Sequence, residues 1–498
     1  MNVNPITRLD YPDLDVIRVE DTYYMVSTTM HFMPGCEILQ SFDLVHWEHV
    51  TYVYETLDHT DAQQLKSGQN IYGQGMWAAS LRYHEGRFYI CFVANDTRKT
   101  YLYTSEKIDG PWKKQLIEGF YHDGSLLFDE DGRNYIVYGN DEIWITELNE
   151  DLTAPKKDGL HRLLVSDHKN PELGYEGSHI QKINGYYYIF LIHSLRDRWM
   201  RTEACFYSDS LEGEFTGGDV LCDDRGYCGQ GVAQGGIVDT PDGKWYAMLF
   251  QDFGAVGRIP ILLPVTWKDH FPFFGQNGHV PEEIEVHSTR PGYIYQPLVG
   301  SDDFCNGLLP RWQFNHDPDP RYYHLDALQG TYTITTREVC TELTQAVNTL
   351  TQRMSYPSCA AEVTVDASAL KEGDVAGLCA LQSCYAAVGI TKHHGKYEVL
   401  MLDKKEDGIL DMTEGTVVES HQMDFRLEAD FCNMKDEARC YYRVNKGDWL
   451  PIGTVHKLYF KLDHFTGCRF GLFCYAAEET GGSACFRDFK YYDVDEIS

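Results

Sequence analysis

Five residues occupy equivalent places in five recurring segments of the sequence, and three of them are carboxylic acids. Each segment has a polar turn followed by an aromatic-rich stretch, and the turn residues are Asp21, Gly86, Gly132, Gly185 and Gly243. Nine positions before each glycine, and eight before Asp21, the chain has Asp13, Trp77, Asp123, Glu176 and Gln234. If the segments are equivalent units of one fold, these side chains lie at one height around a shared cavity.

Three carboxylates around one cavity can perform acid–base chemistry. Repulsion and partial burial raise the pKa of one carboxyl group, which can then donate a proton, while another stays ionised and activates water. Hydrolysis of a glycosidic bond requires such a pair. The alternative is that acidic residues at strand starts cap turns or bind a structural cation. That alternative explains a single residue better than three residues in one register.

The recurring segments also predict the elements that position these residues. Repeats of short strands at steps of 46 to 65 residues, each with a tight hairpin, are typical of β-propeller blades. We therefore predict an all-β chain with a five-bladed propeller over residues 1–297, and a β-sandwich as the alternative for this region. Residues 298–498 contain many short strands and few helical patterns, which predicts a β-sandwich. No Pro/Gly/Ser-rich tether separates the domains, so we expect them to pack together.

Composition limits the partners of the chain. The 498 residues include 43 Lys+Arg and 75 Asp+Glu, a formal charge of −32, which argues against nucleic acid and anionic membrane surfaces. A neutral ligand is compatible with this charge, and oligomerisation stays open. The start has no signal-peptide pattern and the 15 cysteines have no zinc-like spacing, so we expect a cytoplasmic protein with reduced thiols.

Several motifs resemble glycoside hydrolase family 43 in order along the chain. The start NPITRLDYPDLDVIRVEDTYYMVST, the block DGSLLFDEDGRNYIVYG and the block YEGSHIQKINGYYYIF are similar to three acidic blocks of that family. Leu14 stands where the family usually has proline. The segment NTLTQRMSYPSCAAEVTVDASALKEGDVAGLCAL resembles the sandwich appended to the family's β-xylosidases and α-L-arabinofuranosidases, which implies a concanavalin-like jelly roll for residues 298–498. The resemblance covers nearly the whole chain.

The resemblance assigns roles to the three carboxylates. It implies that Asp13 is the general base, that Glu176 is the general acid, and that Asp123 tunes and orients the acid. It also implies inversion of the anomeric centre, which fits a base that acts through water. Asp10 and Asp15 are nearby rivals for the role of base, and the match to Y-P-D favours Asp13.

Other positions are similar to substrate-binding positions of the family. Arg258 matches an arginine beside the acid, and Phe32 and Trp77 match an apolar wall for the terminal sugar. Gln234 replaces a histidine that helps to organise a cation or water cluster in many relatives. We predict no organic cofactor and no protein-derived metal site, while a hydrated Ca²⁺ near Gln234 on the propeller axis stays open.

We therefore expect an exo-acting enzyme that releases terminal α-L-arabinofuranose, β-D-xylose or both from arabinoxylan- or xylan-derived oligosaccharides. The stretches around VSTTMHFMPGC and AQGGIVDTPDGKWYAMLFQDFGAVGRIP resemble arabinofuranosidase-like members most closely. The alternatives are an endo-arabinanase or another glycosidase of the family, and a carbohydrate-binding propeller without catalysis. The last alternative predicts that one carboxylate of the register is lost, and all three are present.

Overall fold

The first part of the chain forms five four-stranded antiparallel sheets in sequence order. The computed structural model describes residues 3–493. Blade 1 has the strands β1 (Asp15–Val19), β2 (Thr22–Ser27), β4 (Gly35–Ser41) and β5 (Glu48–Tyr54), and the short β3 (Phe32–Met33) lies outside this sheet. Blade 2 has β6 (Ser80–His84), β7 (Arg87–Ala94), β8 (Lys99–Ser105) and β9 (Lys113–Ile117).

The other three blades repeat this order. Blade 3 has β10 (Ser125–Phe128), β11 (Asn134–Asn140), β12 (Glu142–Leu148) and β13 (His161–Ser166). Blade 4 has β14 (Glu176–Ile183), β15 (Tyr186–Ser194), β16 (Arg201–Ser208) and β17 (Thr216–Leu221). Blade 5 has β18 (Ala233–Asp239), β19 (Trp245–Asp252), β20 (Arg258–Lys268) and β21 (Phe271–Phe274).

The first strand of each blade lines the axis and runs into a hairpin. In blade 4 the register pairs Ile183 with Tyr186, so the hairpin loop is Asn184 and Gly185 alone. Both residues have positive φ, 51° and 86°, as a type I′ turn requires. This requirement explains the Asn-Gly pair before the aromatic strand β15. The repeated turn motif in the sequence marks the inner hairpin of each blade.

The N-terminal segment closes the ring against the last blade. The side-chain amide of Asn4 exchanges two hydrogen bonds of 2.8 Å with the backbone of Leu262 in β20. The backbone N–H groups of Ile6 and Tyr11 donate to the carbonyls of Pro260 and Arg258. Residues before β1 are thereby held beside blade 5, which brings Asp13 next to Arg258.

The second domain is a β-sandwich of two antiparallel sheets. One sheet has β22 (Gln313–Asn315), β25 (Leu350–Arg353), β27 (Asp374–Leu381), β28 (Ala386–His393), β29 (Lys396–Lys404), β30 (Leu410–Met412), β31 (Thr416–Val418) and β35 (Arg469–Ala476), joined by β3. The other has β23 (Tyr323–Asp326), β24 (Thr331–Thr335), β26 (Ser358–Asp366), β32 (Gln422–Asp430), β33 (Glu437–Val444), β34 (Leu450–Lys457) and β36 (Ser483–Asp493). The predicted fold class, a five-bladed propeller followed by a β-sandwich, is confirmed.

The two domains share a sheet and a buried ion pair. Strand β3, from a loop of blade 1, pairs with β22 of the sandwich. Arg353 of the sandwich binds Glu37 of blade 1 at 2.8 Å, and its Nε donates to the Asp10 carbonyl at 2.9 Å. Because these groups are buried, breaking the pair would leave a buried charge without its partner. The pair therefore holds the domains in one relative position.

Helical structure and disulfides contribute little to this fold. Residues 3–493 contain only short 3₁₀ turns, at Lys66–Gly68, Gly254–Val256, Leu343–Gln345 and Cys432–Met434. Across the same residues, no helix has the length and apolar character needed to cross a membrane. All 15 cysteines are free and most are buried, as expected for reduced thiols.

Candidate active site

The five residues predicted from the repeat register lie at the same end of the five innermost strands. Asp13, Trp77 and Asp123 precede β1, β6 and β10, Glu176 opens β14, and Gln234 is the second residue of β18. The structure therefore gathers three carboxylates, an indole and an amide around one end of the propeller axis.

An unusual backbone conformation turns several of these side chains toward the axis. Asp13, Asp123 and Gln234 have φ values of 51°, 47° and 62°, in the left-handed region that side-chain-bearing residues rarely adopt. Gly177, directly after Glu176, has φ of 64°, and a Cβ there would lie 2.7 Å from Cγ of Gln234. Such strain persists only where surrounding contacts enforce it, and it concentrates at functional sites.

Asp13 is buried between a hydroxyl and a guanidinium. Thr28 Oγ1 donates to its Oδ2 at 2.9 Å, and Arg258 Nη1 donates to its Oδ1 at 2.7 Å. Burial raises the pKa of Asp13, and the positive charge of Arg258 opposes that rise. The ion pair favours the carboxylate form, which is the form that can accept a proton from water.

Asp123 and Glu176 share one histidine on the other side of the site. His122 Nε2 lies 3.6 Å from Asp123 Oδ2 and 3.5 Å from Glu176 Oε2. The negative charge of Asp123 raises the pKa of His122 to about 9, so the imidazole is protonated at neutral pH. Burial raises the pKa of Asp123, and the nearby Glu176 charge adds to this rise.

One backbone amide and one side-chain amide orient these carboxylates. The N–H of Gly177 donates to Asp123 Oδ2 at 2.9 Å, and Asn140 Nδ2 donates to Glu176 Oε2 at 2.7 Å. Glu176 is only partly buried, with 22% of its side chain exposed, so it can reach a bound molecule. Asp13 is thus paired with Arg258, whereas Glu176 and Asp123 share the protonated His122.

The trio of His122, Asp123 and Glu176 also has the composition of a metal site. Its ligand atoms all lie within 4.8 Å of one another. A histidine must be deprotonated to bind a metal, whereas the pKa of His122 is raised to about 9 by Asp123. A metal ion bound by this trio would therefore have to displace the proton from His122.

The two rivals for the role of base have structural partners instead. Asp15 is fully buried and binds Arg82 at 2.7 Å and His179 at 3.1 Å. Burial opposes its ionisation, but these partners outweigh it and lower the pKa of Asp15 to about 2. Asp10 accepts hydrogen bonds from the backbone N–H groups of Arg258 and Gly467, which joins blade 5 to the sandwich.

The residues near Gln234 do not fit a calcium ion. The Gln234 side chain packs against Gly177, and its backbone N–H donates to Glu203 Oε2 at 2.7 Å. Further along the axis, the Asp15 carboxylate is already bound by the Arg82 guanidinium. Ca²⁺ needs about six to eight oxygen ligands, and the Arg82 guanidinium already neutralises the Asp15 carboxylate.

The walls of the site come from both domains. Trp77 is partly exposed, and its ring centroid lies 6.0 Å from that of His122 and 5.6 Å from that of Phe465. Phe465 belongs to the sandwich and covers the Arg258 guanidinium at 4.3 Å, with Phe460 at 5.8 Å on the same cation. The sandwich therefore contributes an aromatic border beside Asp13.

The structure does not place Phe32 on an exposed wall of the site, where the sequence led us to expect it. Phe32 has no exposed surface, lies in β3 at the domain interface, and packs under the Arg469 guanidinium at 3.5 Å. Its neighbour His31 is also fully buried. The pairing of β3 with the sandwich draws this aromatic residue away from the cavity, and a single-strand pattern does not reveal such pairing.

Several residues of the site had no signal in the repeat register. Thr28 directly follows β2 and Asn140 ends β11, the second strands of blades 1 and 3, and Phe460 and Phe465 come from the other domain. Only His122, adjacent to Asp123, could have been found from the sequence. The others are recruited by contacts between sheets, so their position along the chain does not distinguish them.

Comparison with known proteins agrees with this architecture. The sequence profile of glycosyl hydrolases family 43 matches residues 3–272, and that of the beta xylosidase C-terminal concanavalin A-like domain matches residues 301–492. A beta-xylosidase of Formosa agariphila is 26% identical over 99% of this chain and 89% of its own length. A non-reducing end alpha-L-arabinofuranosidase of Bacteroides ovatus is 24% identical over 82% of this chain and 79% of its own.

A solved structure of a bifunctional GH43-CE protein from Bacteroides eggerthii has the same fold over nearly the whole chain. It is 42% identical with a TM-score of 0.92, and the match covers 99% of this chain and 64% of that chain. The family profile spans more than half of the chain and includes all three carboxylates. The chain therefore belongs to glycosyl hydrolase family 43 and is a glycoside hydrolase.

Proposed function

We propose that the protein is an inverting, exo-acting glycosidase that releases terminal α-L-arabinofuranose, with β-D-xylose as a second substrate. In this proposal Asp13 takes a proton from the attacking water, and Glu176 protonates the leaving glycosidic oxygen. Asp123 and His122 hold Glu176 in position and set its charge environment. Water and two proton transfers are the whole chemistry, so no organic cofactor takes part.

One observation carries the proposal: the carboxylates have separate partner sets. Asp13 is paired with Arg258 at 2.7 Å, which favours an ionised base. Glu176 is partly exposed, shares His122 with a second carboxylate, Asp123, and is aligned by Asn140. Two carboxyl groups in such different environments can divide the roles of acid and base.

The choice of pentosides rests on two kinds of support. The relatives named above are a beta-xylosidase and an alpha-L-arabinofuranosidase. Trp77 and Phe465 give flat apolar surfaces beside the carboxylates, which suit a sugar ring. The two pentoses can present similar hydroxyl positions to one such pocket. The aromatic border from the sandwich narrows the cleft beside Asp13, which favours attack at chain ends over the open groove that an endo-arabinanase needs.

The test compares aryl pentosides with arabinoxylo-oligosaccharides. Asp13→Asn should lose activity on both substrates, because no other group in the proposal activates water. Glu176→Gln should lose about 10²–10⁴-fold on oligosaccharides and less on 4-nitrophenyl α-L-arabinofuranoside, whose leaving group needs little protonation. Glu130→Gln, an exposed acid in the turn of blade 3, is the matched control and should retain full activity.

Proton NMR of the first product tests the stereochemistry. Inversion should release the anomer opposite to that of the substrate before mutarotation occurs. Full activity of either active-site variant, or release of the retained anomer, would overturn the assigned roles. Lack of hydrolysis of both pentosides by the unmodified protein would reject the proposed substrates.

A further inference from the structure

The hairpin between β15 and β16 carries an exposed tryptophan on the catalytic side of blade 4. Trp199 is 43% exposed, whereas tryptophan side chains are highly buried on average. Strand β15 ends at Ser194 and β16 begins at Arg201, at the end of the blade where Glu176 opens β14. Ile192 of β15 pairs with Glu176 on one side and with Glu203 on the other. Arg201 therefore lies two strands from Glu176, about 10 Å across the sheet, and about 7 Å further along the strand direction.

The backbone of this hairpin is fixed by hydrogen bonds. Ser194 is fully buried, its N–H donates to the Leu173 carbonyl at 3.0 Å, and its Oγ accepts from the Met200 N–H at 2.8 Å. Asn170 Nδ2 donates to the Ser194 carbonyl at 2.9 Å. Because residues 170–173 lead directly into Glu176, the hairpin and the strand of the acid are held together.

A charged group supports one face of the indole. The Arg201 guanidinium lies 5.1 Å from the Trp199 ring centroid and forms an ion pair with Asp252 of blade 5. The side chains of Arg201 and Asp252 are both 12% exposed, so this support is largely shielded from water. A cation that is anchored across the blade interface restricts the ring and leaves its remaining surface exposed.

Arg201 also connects Trp199 to the carboxylates. The Phe250 ring is close to two guanidinium groups, with its centroid 5.6 Å from that of Arg201 and 5.3 Å from that of Arg258. Arg258 in turn binds Asp13. Burial lowers the pKa of Arg201 to about 10, and the charges of Glu176 and Asp13 reach it and oppose this shift. Trp199 therefore borders the catalytic end of the propeller on the side of blades 4 and 5.

We propose that Trp199, supported by Arg201, is a stacking platform for a sugar of the leaving group. This inference rests on the proposed function, since a leaving-group sugar is next to the general acid Glu176. Aromatic faces suit the apolar faces of neutral sugar rings, and a charge of −32 on the chain is compatible with a neutral saccharide. The platform would give the enzyme a preference for longer substrates without changing the pocket for the terminal pentose.

The test separates the leaving-group side from the terminal pocket. Trp199→Ala should lower kcat/KM on arabinoxylo-trisaccharides and longer oligosaccharides about fivefold to tenfold. Inhibition constants of free L-arabinose and D-xylose, which report the terminal pocket alone, should not change. Trp199→Phe keeps a flat ring and should retain most of the activity. Tyr83→Ala removes an aromatic residue that is 45% exposed at the opposite end of the propeller, and it should match the unmodified protein.

Calorimetric titration keeps the inference testable without turnover. In the Glu176→Gln background, adding Trp199→Ala should weaken binding of the trisaccharide about fivefold to tenfold and leave binding of the free pentoses unchanged. Equal trisaccharide affinity in both proteins would overturn the platform. An equal loss for monosaccharides and trisaccharides would also overturn it, because the damage would then be general. Failure to hydrolyse any pentoside would instead reject the proposed function.

Discussion

Removing the guanidinium beside Asp13 gives the sharpest test of the proposed base. Arg258 and Asp13 are in contact at 2.7 Å with only 3% and 9% of their side chains exposed. Two unit charges about 4 Å apart interact by about 4 kcal/mol at an effective dielectric constant of about 20. Since one pKa unit is about 1.4 kcal/mol, Arg258→Met should raise the pKa of Asp13 by about 1–3 units.

The sign of the effect on activity follows from the role of the base. Asp13 must be ionised to accept a proton, so the acid limb of the kcat/KM profile should move to higher pH by the same 1–3 units. The variant should also lose stability, by about 3–5 kcal/mol, because a buried carboxylate loses its partner. A raised folded-state pKa means that the folded protein binds more protons, so this loss is greatest at high pH and is relieved as the pH falls.

The assay is a pH–rate profile on an aryl pentoside, measured alongside thermal unfolding at each pH. Arg258→Lys keeps a positive charge and should shift the acid limb much less than the methionine variant does. Arg133→Met removes an exposed arginine that pairs with Asp131 on the surface of blade 3, and it should leave the profile unchanged. An acid limb at the wild-type pH in active Arg258→Met enzyme would refute the assignment of Asp13 as the base.

Two further predictions concern buried groups around the site. Glu203 is fully buried, burial raises its pKa far above the usual range, and it accepts the Gln234 N–H. In Glu203→Leu the buried N–H of Gln234 loses its acceptor, which costs about 1–3 kcal/mol. Because Gln234 packs against Gly177 beside Asp123, the variant should lower kcat about tenfold or more with little change in KM. Glu203→Gln keeps an acceptor and should stay near wild type, and a fully active Leu variant would contradict this reasoning. Burial lowers the pKa of three histidines at the domain interface, His31, His316 and His464, the last to about 3. Below about pH 6.5 the unfolded chain binds a proton at each of these histidines and the folded protein does not. Each histidine should therefore reduce the free energy of unfolding by up to about 1.4 kcal/mol per pH unit as the pH falls. Thermal unfolding between pH 7 and pH 5 measures this slope, His464→Gln should reduce it, and a melting temperature independent of pH would be inconsistent with the cluster.

Local patterns were enough to predict the blades and the register of the candidate site. A turn such as Asn184–Gly185 requires residues that tolerate positive φ, and the aromatic strand after it must alternate between two packed faces. Both demands act within a few residues, so they recur visibly in the sequence. Because equivalent strands are equivalent in space, the register alone brings Asp13, Asp123 and Glu176 to one end of the axis.

The partners of those carboxylates depend on contacts between distant segments. Arg258 reaches Asp13 because the N-terminal segment closes the ring beside β20, and Phe465 reaches Arg258 because the sandwich packs on that edge. Asp15 is two residues from Asp13, yet Arg82 and His179 bind it from neighbouring blades. Spacing could not distinguish these two aspartates, because their difference is in their environment.

Phe32 shows the same limit from the opposite direction. Its motif resembled a sugar-binding wall, but β3 pairs with the sandwich and the ring is buried under Arg469. By itself, the sequence determined the repeating hairpins, the two-domain β architecture and the set of carboxylates, because short-range turn and alternation rules encode them. Only the tertiary structure decided which carboxylate meets a cation, which aromatic ring stays exposed and where the two domains meet, because those outcomes depend on packing between segments far apart in the chain.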